Sequence, residues 1–161
     1  MQPQAHDHDA MSPAAMQRHD YGMLAVNLIA SLAIMYLGMF AMIWSWGEFV
    51  QNVNFLYMAL VMWAPMSAVM LLTMKRMYLD RRLNLALHAL FAVALAASFF
   101  AIRAQSLVGD RQFLRSMIPH HSGAVLMCEE ARLRDAEIRE LCGRIIQSQQ
   151  QEIDQMKAIM A

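Results

Sequence analysis

Three stretches of the chain, Tyr21 to Gly47, Phe49 to Met74 and Leu83 to Ile102, contain no charged residue, and they are apolar on every face rather than on one. About 20 apolar residues in helical form cross the hydrocarbon core of a bilayer, so each run is long enough to span. A transmembrane barrel would need many short alternating strands, which these solid runs do not supply. The pattern therefore predicts three transmembrane helices, at about 21–46, 53–74 and 83–102. A soluble chain of this size could not enclose three such helices. The first run is too long for the apolar part of a signal peptide, and no basic region precedes it beyond Arg18, so it reads as a permanent anchor.

After Ile102 the periodicity changes to one-sided. Asp110 can cap a segment reaching Met117, and Pro119 should break or kink the helix, because it lacks an amide hydrogen and crowds the preceding turn. A second segment is predicted from His120 to about Arg134, and Asp135 caps a third that runs to the C-terminus. That last segment sets Ile138, Leu141, Cys142, Ile145, Ile146, Gln149, Ile153 and Met156 at steps of three and four, the face of a packed helical hairpin. Residues 1–20, with Pro3, Pro13 and the alternating His6 to Asp9, read as a polar, disordered leader. The fold class is all-α: leader 1–20, a three-helix membrane region over 21–102, and a helical domain over 103–161.

Composition agrees with a lipid solvent, at 58% hydrophobic and 16% charged residues. Lys75, Arg76, Arg81 and Arg82 crowd the second connection, whereas the first carries only Glu48. Short basic loops stay in the cytoplasm, so the N-terminus is expected inside and the C-terminal domain outside, in the periplasm or its equivalent, on a multi-pass plasma (inner) membrane protein. A formal net charge of +0 gives no reason to expect a nucleic-acid partner. There is no glycine-rich phosphate loop, no nucleophile with a base and an orienting acid, and no Glu-x-x-His pair for a di-iron centre. The chain is expected not to be an enzyme.

The residues that suggest chemistry lie in the C-terminal domain. Met117 to His121 read MIPHH, with Met127 and Cys128 a little further on. On a helix resuming at Pro119, His120, Ala124 and Met127 share one face. Thioether and imidazole donors together suit Cu(I) and Ag(I), which accept soft sites without carboxylates. Folding the hairpin about Asp135 sets His121 opposite Gln149 and Met117 opposite Ile153. Met156 is then the natural extra thioether, and Glu152 or Gln149 can hold the free nitrogen of an imidazole. Cys128 and Cys142 are equidistant from Asp135, which favours a disulfide over a free pair or two thiolate ligands outside the cytoplasm. Met58, Met62, Met66, Met70 and Met74 recur every fourth residue in the second span, which Pro65 should bend. Met35, Met39 and Met42 follow in the first span. Packing explains them better than a metal pathway. His88, alone in the third span, suits a helix-to-helix hydrogen bond rather than a haem ligand. The His6 to Asp9 string is a solvated tail more readily than a metal site.

These residues resemble a known family, the CopM-like domain of unknown function with a ferritin-like helical fold. The resemblance rests on Asp110, Phe113, Met117 to His121, Ala124 and Met127, then Ile145, Ile146, Gln149, Glu152, Ile153 and Met156, about a third of the chain. The two cysteines and the membrane region are departures from it. The resemblance implies copper or silver binding and resistance. It makes Met117, His120, His121, Met127 and Met156 the expected ligands of Cu(I) or Ag(I). The expected function is a membrane-anchored metal-binding protein, and the alternative is an accessory or assembly subunit whose tail binds a partner helix. A single hairpin is too small for a core of its own, so a homodimer or higher homo-oligomer, completing a four-helix bundle, is also expected.

Overall fold

The computed structural model describes residues 12–161, which are helical with short connections, and no strand occurs among them. Helix α1 spans Pro13–Gly38 and tightens into a 3-10 turn at Met39–Met42, and a second such turn covers Trp46–Glu48. Helices α2 (Val53–Thr73), α3 (Arg81–Ala104), α4 (Asp110–Glu130) and α5 (Ala136–Met160) follow. The segments Ala14–Met42, Val53–Thr73 and Arg81–Ala104 are long and apolar enough to cross a membrane. Much of their outer surface, including Ile29, Leu85 and Phe100, is apolar and open, which lipid accommodates and water does not.

Local chemistry explains where the helices start. Ser12 accepts a hydrogen bond from the Ala15 amide and Pro13 fills the first helical position, so α1 begins within the stretch expected to be a disordered leader through residue 20. His6 to Asp9 lie outside the described residues. Asn52 caps α2 and Asp80 caps α3, whose limits lie within about two residues of the expected spans. The first span ends sooner than expected. Ile43 is extended and the Trp44 amide donates to the Ser122 hydroxyl at 2.6 Å, drawing the chain away from α1 towards α4.

Pro119 does not break the helix: α4 continues through it from Asp110 to Glu130. The missing amide costs one hydrogen bond, and burial of Ile118, Pro119 and Val125 on one face outweighs that loss. Nor is Asp110 the cap. Gly109 takes that position and Asp110 opens the first turn, where its carboxylate meets the positive end of the helix dipole. The helix stops at Glu130 rather than near Arg134, and Asp135 caps α5 as expected, accepting from the amides of Glu137 and Ile138.

Two cores result. Between α1, α2 and α3 lie Leu24, Ala64, Leu71, Tyr78 and Phe91, with Trp63 edge-on to Phe91 and donating from its indole nitrogen to the Leu28 carbonyl at 2.8 Å. Between α4 and α5 lie Ile118, Val125, Ile153 and Met156, with Val50 of the first connection packed against them. A polar belt joins the two parts: Asn54 donates to Gln105 and Ser116, and the Tyr57 hydroxyl donates to the Ser106 carbonyl.

Candidate functional site

Because α4 is continuous, its donors fall on two faces. The inner face carries Ile118, His121, Ser122 and Val125, while His120 and Met127 turn outwards, Met127 to 54% exposure. Met117 is half-buried against the cluster that contains Met156, itself 8% exposed. His121 therefore shares the inner side of the hairpin with two thioethers. The expected set of Met117, His120, His121, Met127 and Met156 is thus divided, with His120 and Met127 apart from the rest; the His120 and His121 ring centroids are 6.0 Å apart.

His121 is 8% exposed, and its Nδ1 lies 3.0 Å from a Glu152 carboxylate oxygen on α5. The oxygen is off the line of a hydrogen bond, so the attraction is electrostatic and this buried nitrogen has no hydrogen-bond partner among the described residues. Burial pushes the His121 pKa below its ordinary value; the Glu152 charge opposes this and His120 adds to it. A carboxylate beside Nδ1 favours the proton on that nitrogen and leaves the Nε2 lone pair free. Gln149, half-buried one turn before Glu152, makes no hydrogen bond to the His121 Nδ1.

Cys128 and Cys142 stand at disulfide distance, with Cα atoms 5.3 Å apart, near the Asp135 end of the hairpin. Among the described residues no three His, Cys, Asp or Glu side chains gather as a set of metal ligands. Met58, Met62 and Met66 are exposed and Met70 is half-buried, so the methionine repeat faces largely outwards. His88 binds the carbonyl of Asn84 within its own helix, at 2.7 Å, instead of bridging to a neighbour as expected.

Glu48 gained no site role in the sequence reading. It is 2% exposed, accepts from the Ser122 hydroxyl at 2.5 Å and the Ser45 amide at 3.1 Å, and pairs with Lys157 at 3.3 Å. Ser122 follows His121 on α4, and Lys157 follows Met156 on α5. One carboxylate from the first connection thus holds both helices at the level of His121 and Met156. The readable signal was Ser45-x-x-Glu48, a capping box, which the structure forms.

Residues 92–160 match the family described as Domain of unknown function (DUF305). A relative described as Uncharacterized protein L153, from Acanthamoeba polyphaga mimivirus, is 32% identical over 142 residues, 86% of this chain and 91% of that relative. The chain belongs to the DUF305 family. The DUF305 match covers part of α3 and all of α4, the link to α5 and α5 itself, and so includes every residue of the His121 site. The likeness to the viral relative is longer than that match and so extends into the apolar helices before it. No solved structure matches the chain.

Proposed function

We propose that this protein is a membrane-anchored binder of Cu(I) or Ag(I) that acts outside the cytoplasm in copper or silver homeostasis or resistance. The observation that carries the reading is His121. It is an imidazole at the hairpin core that is held neutral by burial, has Glu152 against one nitrogen, and shares its side of the hairpin with Met117 and Met156. Neutral imidazole and thioether form a soft donor set with no need of further carboxylates, so the residues present fit a monovalent soft ion. His120 and Met127, on the outer face, are available to a second ion or to an ion shared with another molecule. The CopM-like resemblance points to the same metals. The basic second connection supports a cytoplasmic N-terminus and an extracytoplasmic hairpin, and pairing of two such hairpins would complete the ferritin-like four-helix bundle that the resemblance implies.

A second reading, an accessory subunit that binds a partner helix, draws on Ile138 and Leu141, apolar residues of α5 that stand about half exposed. Titration of the full chain in detergent with Ag(I) separates the two. Metal binding predicts saturation at a defined stoichiometry, with most of it lost in a variant carrying both His120→Ala and His121→Ala and helical content unchanged. Undiminished silver affinity in that double variant would rule out the metal site.

A further inference from the structure

Where the first connection meets α4, an open groove of about 460 Å³ is bordered by Tyr36, Gln51, Asn52, Leu56, Gln112 and Arg115. Its polar groups are one-sided in character. Arg115 is half-buried on α4, and no carboxylate among the described residues lies within ion-pair distance of it. The Gln112 side-chain oxygen accepts from the Val53 amide at 3.3 Å, which leaves its amide nitrogen free to donate. Asn52 is engaged at both ends of its side chain, its oxygen accepting from the Phe55 amide and its amide nitrogen donating to the Val50 carbonyl. The remaining groups, the Arg115 guanidinium, the Gln112 and Gln51 amides and the Tyr36 hydroxyl, can all donate. Val53, the first residue of α2, lines the same groove and brings the positive end of that helix to it.

An uncompensated guanidinium amid free donors calls for an anion, and its planar fork matches the two oxygens of a phosphate. The position of the groove narrows the source. Tyr36 lies in the last turn of α1 and Leu56 in the first turn of α2, so its lower wall belongs to the ends of two membrane-length helices. Leu56, on that wall, is exposed apolar surface, as is Leu37, the residue after Tyr36 in α1. We propose that the groove binds the phosphate of a phospholipid headgroup, with Arg115 and Gln112 on the phosphate and the acyl chains against α1 and α2. The site seats the hairpin on the outer edge of the bilayer and is independent of any metal.

The test uses the full chain in detergent and counts bound lipid by native mass spectrometry. The probes are phosphatidylglycerol, diacylglycerol with the same acyl chains, and inorganic phosphate. Phosphatidylglycerol should be retained and diacylglycerol lost. Arg115→Gln should weaken retention about tenfold, whereas Arg115→Lys, which keeps the charge but loses the planar fork, should fall between that variant and the wild type. Inorganic phosphate should displace the lipid only at concentrations at least about a hundredfold higher, because it lacks the apolar contacts. Equal retention of diacylglycerol would overturn the proposal, as would undiminished phosphatidylglycerol binding in a helical Arg115→Gln protein. Displacement by phosphate at concentrations equal to the lipid would show a site for free anions and overturn the lipid assignment.

Discussion

At His121 two neighbours act in opposite directions on a ring that burial already drives towards its neutral form. Only neutral imidazole binds a metal ion, and the lowered pKa keeps that form at acidities where a free histidine, with an ordinary value of 6.5, would be protonated. Silver binding should therefore persist below that pH and fall away as the pH drops through the lowered value. Glu152 raises the pKa against burial, so Glu152→Gln should move the midpoint of binding to more acidic pH. The same substitution should weaken affinity at neutral pH roughly tenfold, because the ring loses the charge that orients it. Ag(I) titrations across the pH range check both signs, and a midpoint displaced to higher pH would contradict this account. Apo-protein stability follows the same linkage. It is full above the ordinary pKa and declines as pH falls through the folded value, since the unfolded chain takes up the proton first. Sequence spacing found His121 and Glu152 because antiparallel helices pair residues equidistant from their turn. It grouped His120 and Met127 with them because a break at Pro119 was expected to reset the helical phase, and the unbroken helix turns both outwards.

Between elements, the deciding contacts are the ones periodicity does not encode. Caps were legible at Asp135, and the limits of α2 and α3 came close, because short-range hydrogen bonding and apolar run length determine them. The fate of Pro119 was not legible, since it depends on burial contributed by α5 and Val50. Glu48 was legible as a local cap but not as a link, because its partners Ser122 and Lys157 lie 74 and 109 positions away. Removing one member of a buried, hydrogen-bonded charge network leaves its partners unsatisfied, at a cost of about 3 kcal/mol. Glu48→Ala should therefore destabilise the protein by that amount. Lys157→Met should cost roughly 1 kcal/mol, because the Lys157 side chain is partly solvated and Glu48 keeps its Ser122 and Ser45 bonds. Denaturant unfolding followed by circular dichroism measures both. A loss below about 0.5 kcal/mol for Glu48→Ala would show that the hairpin is held by its apolar core alone.

For the whole molecule, the outstanding question is what covers the far end of the hairpin. Near the three apolar helices, α4 and α5 bury Ile118, Ile153 and Met156 with help from Val50. Towards the Asp135 turn that help ends, and Ile138 and Leu141 are each 47% exposed beside the Cys128–Cys142 link. Among the described residues, the other segments docked on the hairpin are the first connection and the start of α2, and both meet α4 towards its opposite end. A helical pair with an open apolar edge gains most by pairing with its own copy, since a two-fold axis buries each edge against the other and yields a four-helix bundle. The protein should therefore be at least a dimer in detergent. Light scattering, corrected for bound detergent, should give a protein mass of twice 18.3 kDa or more. Replacing Ile138 and Leu141 together with Glu should return it to a monomer, because two like charges would then face each other across the axis. Those substitutions lie away from His121 and Met156, so the silver stoichiometry per chain should survive them. A wild-type monomer with α4 and α5 still fully helical would instead assign this edge to the membrane surface or to a different protein.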